Sequence, residues 1–191
     1  MVYSSLSPII MTKGEIVFWR DKYDKEEDLY NKGEEERLRK KFRKNRFITK
    51  TDLKTIIKWK FQGRLLGRQK RILNLLTSVE EKFIKEVSKL AFQSSEDETR
   101  LKLLSSIKGV GNALSSVILT FYDQQNYGVL DIHAWRGLFG KEPPDIFSNT
   151  KHAIKFFTKL REISQKTGLP CRDIEKAIFK KDLDKSKTCI Q

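Results

Sequence analysis

Three features of this 191-residue chain predict an all-α fold. Apolar residues recur at spacings of three and four along most of its length, the period of one helix face. No stretch of useful length alternates apolar and polar as a half-buried strand would, and no internal repeat is present. Breakers punctuate the periodic segments at Asn31-Lys32-Gly33, Gln62-Gly63-Arg64, the polar loop 93–96, Gly109-Val110-Gly111, the Pro143-Pro144 pair and the Gly168–Pro170 step.

Taken in order, residues 12–44 are dense in charge, with apolar marks at Ile16, Trp19, Tyr23, Leu29, Leu38 and Phe42, and read as two helices broken near Asn31-Lys32-Gly33. Acidic residues (Glu26, Glu27, Asp28, Glu34, Glu35, Glu36) give way to a basic block from Arg37 to Arg46, either a solvated helix face or a backbone contact to a polyanion. Thr49 to Asp52 forms a helix start, and Leu53, Ile56, Ile57 and Phe61 supply the apolar face that follows. Between Asp52 and Val79 no acidic residue occurs, whereas Lys54, Lys58, Lys60, Arg64, Arg68, Lys70 and Arg71 all do. Further amphipathic helices are predicted over 79–92 and 96–107. Two more follow the prolines, over 148–166 and 170–183, with core marks at Ile154, Phe157, Leu160, Ile163, Ile174, Ile178 and Phe179.

Composition narrows the class. Hydrophobic residues make up 38% and charged residues 34%, and no apolar run approaches the ~20 residues of a membrane-spanning helix. The opening MVYSSLSPII lacks the basic and apolar pattern of a secretory signal, so a cytoplasmic location is expected, in association with the nucleoid. Two cysteines, Cys171 and Cys189, are expected as reduced thiols, and two cannot hold a four-cysteine iron–sulfur cluster. With only two histidines, no metal site and no cofactor are expected. A formal net charge of +14 points to a polyanionic partner, with DNA or RNA preferred over an anionic membrane.

The most informative stretch is 101–139. Leu101, Leu104 and Ile107 precede Gly109-Val110-Gly111, and Leu114, Val117, Ile118 and Phe121 follow it, which predicts helix, tight turn, helix. Glycines in such a turn permit positive φ and close approach of another backbone, so the turn can offer amides to a phosphate at the start of the second helix. Equally, the glycines can simply end one helix and start the next. Val129-Leu130-Asp131-Ile132-His133-Ala134-Trp135-Arg136 comes next, with Asp131 as a helix N-cap and Asp123 capping the turn before it.

Together these residues resemble the helix-hairpin-helix DNA glycosylase superfamily, whose endonuclease III-like members carry a hairpin followed by an Asp-x-His-x-x-Arg motif. Asp131, His133 and Arg136 match that motif. The resemblance implies a two-lobed all-α fold with the active cleft between the lobes, and one such domain over 1–191. Within it, 1–50 would be charged N-terminal helices, 51–140 a central lobe with the hairpin at 107–112, and 141–191 C-terminal helices packing with the N-terminal part. It implies Asp131 as the catalytic carboxylate, and Lys108, Gly109, Val110, Gly111, Asn112, His133 and Arg136 as DNA contacts, Arg136 alternatively pairing with an acid. Gln62 would plug the vacated base stack, with Arg64 beside it on the DNA, although an ordinary helix connection fits equally. Trp59, Tyr122 and Tyr127 are candidates for the base pocket or for the core.

Lyase-competent members carry a lysine two residues after the second hairpin glycine. That slot holds Ala113, eighteen residues before Asp131, so the resemblance implies a monofunctional enzyme that leaves an abasic site. Lys60 and Lys108 are the amines that could give residual lyase activity. Double-stranded DNA is the expected partner, with no membrane and a monomeric chain. Base-excision repair and antiviral defence against modified phage DNA both suit such an enzyme. The competing readings are a non-catalytic hairpin module that binds DNA, and a helical RNA-binding or assembly protein, which explains the charge but not the motif.

Overall fold

A computed structural model of the chain describes residues 11–27, 29–61 and 66–188. Among the described residues the fold is all-helical, with ten helices and no strand. The chain divides into two compact units, one of residues 28–123 and one of residues 1–27 with 124–191.

The central unit holds α2 (Leu29–Asn45), α3 (Lys50–Lys60), α4 (Leu66–Thr77), α5 (Glu81–Gln93), α6 (Asp97–Ser105) and α7 (Asn112–Tyr122). Its axis is α7, which is buried at every position from Asn112 to Phe121 and packs against α2, α3 and α6. A helix buried on every side forms the centre of its unit. Val117, Ile118, Leu119 and Phe121 are fully enclosed, each worth about 1.5–3 kcal/mol relative to exposure. Two of the polar residues on the same helix are satisfied locally, Ser116 donating to the Ala113 carbonyl at 2.8 Å and Thr120 to the Ser116 carbonyl at 2.7 Å. The expected start of α3 takes the form of a capping box. The Thr49 hydroxyl accepts from the Asp52 amide, while the Asp52 carboxylate accepts from the Thr49 amide at 2.9 Å. Asp52 is buried and is neutralised by Lys41 of α2 at 2.7 Å.

The terminal unit consists of α1 (Lys13–Glu26), α8 (Ile132–Phe139), α9 (Thr150–Thr167) and α10 (Cys171–Thr188). Here α10 is the hub, touching α1, α8 and α9. Its seam with α1 is ionic as well as apolar: Arg20–Asp173 at 3.0 Å, Lys22–Asp184 at 2.7 Å and Lys176–Asp24 at 2.8 Å run beside the Tyr23–Phe179 ring contact.

One sequence expectation is corrected. The break expected at Asn31-Lys32-Gly33 lies earlier, after Glu26, and α2 runs straight through Gly33. An interior glycine costs a helix only about 1 kcal/mol. Here Leu38 and Phe42 anchor the helix in the core, and the Arg37–Glu34 and Arg39–Glu36 pairs brace its surface. Helix α2 belongs to the central unit, and residues 124–140, Asp131 among them, belong with α1, α9 and α10.

Candidate functional site

Asp131 sits at the end of a strap, residues 124–130, that is fastened to α9 and α10. The carbonyls of Gln124 and Gln125 accept from the first-turn amides of α10, Arg172 and Cys171, at 3.1 and 3.2 Å. Arg161 of α9 donates to the Asn126 carbonyl at 3.1 Å. Further along, the Val129 amide donates to the buried Glu175 carboxylate at 3.1 Å, and Glu175 is itself paired with buried Arg172. Gly128 is required by this close approach, because a Cβ there would lie 2.6 Å from Leu160 and 2.8 Å from Glu175. At the end of the strap, half-buried Asp131 caps α8, one carboxylate oxygen accepting from the His133 amide at 3.0 Å.

One turn on, His133 and Arg136 converge on Asp182 of α10. The His133 Nδ1 lies 2.8 Å from the Asp182 carboxylate, and Arg136 reaches the same oxygen at 3.0 Å. The same Nδ1 also lies 2.9 Å from the Arg136 guanidinium, so it is engaged within the chain in either tautomer, donating to Asp182 when protonated or accepting from Arg136 when bare. This leaves Nε2 as the ring nitrogen for any ligand. Burial works against the charged form of Asp182, but the hydrogen bonds from His133 and Arg136 outweigh it and hold the carboxyl below its ordinary value. Arg136 also lies 3.6 Å from Glu142, so its guanidinium is engaged by two acids within the chain. Helix α8 meets α10 so closely that a Cβ on Gly137 would stand 2.3 Å from Ile178.

The hairpin lies in the central unit, between α6 and α7. The Val110 amide donates to the Ile107 carbonyl at 2.9 Å, closing a turn in which Gly109 takes a φ of +91°. The two glycines differ in role. Gly109 needs its positive φ and presses on α4, where a Cβ would lie 3.3 Å from Ile72 and 3.4 Å from Leu75. Gly111 has an ordinary extended backbone, φ −110° and ψ −175°, and a Cβ there would meet open space. It is the N-cap of α7 and offers no side-chain acceptor to that helix's first-turn amides. Lys108 is exposed, whereas Val110, Asn112 and Ala113 are buried.

The remaining candidates separate by environment. Tyr127, only 2% exposed, stands edge-on to Phe157 in the core of the terminal unit. Trp59 packs edge-on against Phe121 at 5.0 Å. Tyr122 stacks on Phe92 at 3.9 Å, and its hydroxyl accepts from Arg46 at 2.5 Å. Gln62 and Arg64 lie outside the described residues, as does Cys189. Lys60 closes α3, and Cys171 is a buried free thiol. Much of the basic block at 37–46 is neutralised within the chain: Arg37 by Glu34, Arg39 and Lys40 by Glu36, and Lys41 by Asp52. Among the described residues no group of three or more His, Cys, Asp or Glu side chains is placed to hold a metal ion, and no helix is long and apolar enough to cross a membrane.

Sequence reasoning does not single out Asp182, Glu175, Gly128 or Gly137. Gly137 carried a signal, since a glycine inside the apolar helix pattern His133–Phe139 marks a close helix contact. Asp182 and Glu175 carried none, because nothing in the charged pattern of α10 separates a buried acid from a solvated one.

Compared with family models, with curated proteins and with solved structures, the chain matches none.

Proposed function

We propose that this protein is a monofunctional DNA glycosylase of the helix-hairpin-helix type, with Asp131 as its catalytic carboxylate. The observation that carries the proposal is the joint presence of a glycine hairpin opening the buried helix α7 and a half-buried carboxylate at the N-cap of α8. These occur in the order and spacing of the motif that the chain resembles. In the proposed reaction the target nucleotide leaves the duplex at a cost of a few kcal/mol. The C1′–N bond breaks, its electron pair departs with the base, and positive charge builds on the sugar. Asp131 balances that charge. Water adds its oxygen to C1′ and passes a proton to the carboxylate, which gives it up to solvent, while the departing base takes a proton from solvent. Ala113 offers no amine, so no imine forms and the strand stays whole. The hairpin and Lys108 hold backbone phosphates, which position the duplex without reading it.

A non-catalytic DNA-binding module is the second reading, favoured by one observation: the Asp131 carboxylate already serves its own helix as a cap. One experiment separates the two. The purified protein is offered duplexes bearing oxidised, alkylated, deaminated and mispaired bases, and others bearing the modified pyrimidines of phage genomes. Alkali then reveals abasic sites. Alkali-labile cleavage on one member of the set supports the glycosylase, and its substrate tells repair from defence. Tight binding with no abasic site on any duplex refutes it.

A further inference from the structure

The acid-free run between Asp52 and Val79 shapes the surface around the hairpin. Helix α4 buries Ile72 and Leu76 and turns Arg68, Lys70, Arg71 and Asn74 to solvent. Gly109 seats the hairpin directly on Ile72 and Leu75 of this helix, which brings Lys108 to the same side. Between them lies an open cleft of about 540 Å³ lined by Gly67, Lys70, Arg71, Asn74 and Lys108. At Gly67 nothing lies within 4 Å of where a Cβ would stand, so this edge of the cleft is open.

These cations differ from several others in the central unit. Arg37, Arg39, Lys40, Lys41, Lys85 and Lys102 each lie within 4 Å of a carboxylate. Among the described residues Lys70, Arg71 and Lys108 have no acidic partner, and the Asn74 carboxamide makes no hydrogen bond. Three cations without an acidic partner and a free amide grouped around one open cleft are complementary to an anion that comes in repeats.

We propose that the α4–hairpin cleft is a second backbone-binding site, in which Lys70, Arg71 and Asn74 hold phosphates of the same duplex DNA strand that the hairpin amides engage. The cleft thereby doubles the hairpin's hold on the backbone and does so without reading bases. This site rests on the DNA reading above, but its test measures binding rather than base release.

The test is fluorescence anisotropy with an unmodified duplex between 50 and 200 mM salt, on the wild type and on Lys70→Gln/Arg71→Gln. Removing one phosphate-neutralising side chain lowers the slope of log K against log salt by about 0.9, so the double variant should lose about 1.8, and its affinity should fall about 12-fold less across that range. Lys82→Gln/Lys102→Gln removes the same charge from α5 and α6, where both lysines already face glutamates, and should leave the slope in place. Lys70→Arg/Arg71→Lys should keep the wild-type slope. An unchanged slope in Lys70→Gln/Arg71→Gln overturns the cleft and leaves the glycosylase reading standing. A slope lost only on duplex RNA makes the cleft an RNA site and also overturns it. Failure of the wild type to bind any duplex overturns both proposals.

Discussion

The two hairpin glycines are expected to fail differently when each is replaced by alanine. At Gly109 the backbone holds a φ of +91°, and a Cβ would sit 3.3 Å from Ile72 and 3.4 Å from Leu75. An L-residue forced into that region costs about 1–3 kcal/mol, and the tight packing adds to it, so Gly109→Ala should lose about 2 kcal/mol or more of stability. At Gly111 the backbone is extended and the space is open. Alanine is a poorer N-cap than glycine by several tenths of a kcal/mol, but it also removes about 0.4–1 kcal/mol of unfolded-chain entropy. The two effects offset, and Gly111→Ala should stay within about 0.5 kcal/mol of the wild type. Its methyl group nevertheless stands where a phosphate would approach the first-turn amides of α7. Loss of one charge-assisted hydrogen bond there is about 1.5 kcal/mol, close to tenfold in affinity. Urea denaturation reads the stabilities and duplex anisotropy the affinities. Gly111→Ala with wild-type affinity would refute phosphate binding by the hairpin, and Gly109→Ala with wild-type stability would refute the strain assigned to Gly109.

Asp182→Asn should cost about 2 kcal/mol at neutral pH, because His133 and Arg136 lose their shared carboxylate while remaining a quarter exposed. Asp182 is held below its ordinary value of 3.8, so the stability it contributes is present above that pH and is lost as pH falls through the lowered folded value. Urea midpoints of wild type and variant should therefore converge as the medium is acidified below pH 3.8, and a constant gap would contradict this role. Borohydride should trap no covalent adduct between the protein and its substrate duplex, since the slot for the imine-forming lysine holds Ala113. A robust adduct would show that another amine, such as Lys60 or Lys108, reaches the sugar.

Local signals made much of the helix geometry legible in the sequence. The helix start at Thr49–Asp52 and the capping role of Asp131 were readable because each depends on residues within one turn. The spacing of Leu114, Val117, Ile118 and Phe121 marked α7 as a helix, but not the burial of Asn112, Ser115, Ser116 and Thr120 on its other sides. What escaped depends on distant partners. Gly33 looked like a breaker, but packing at Leu38 and Phe42 carries the helix through it. The two hairpin glycines look alike in sequence, and only the seating of Gly109 on α4 distinguishes them. Asp182 and Glu175 are indistinguishable from solvated acids until α8 and the strap fold against α10. The basic block at 37–46 and the run at 54–71 read as equally cationic, yet the acids that neutralise the first are absent around Lys70 and Arg71.

The chemistry proposed for Asp131 is tested most directly by single-turnover base release with Asp131→Asn, on whichever duplex the wild type converts, with affinity measured in parallel. Asparagine keeps an oxygen that can accept from the His133 amide, so the cap of α8 and the fold should survive. What is lost is the negative charge that balances the sugar cation, an effect of roughly 10²–10³ in rate or more. A folded variant that binds the duplex like the wild type but releases base at least a hundredfold more slowly is the expected result. Release at the wild-type rate would contradict the assignment of Asp131 and leave its carboxylate a helix cap alone.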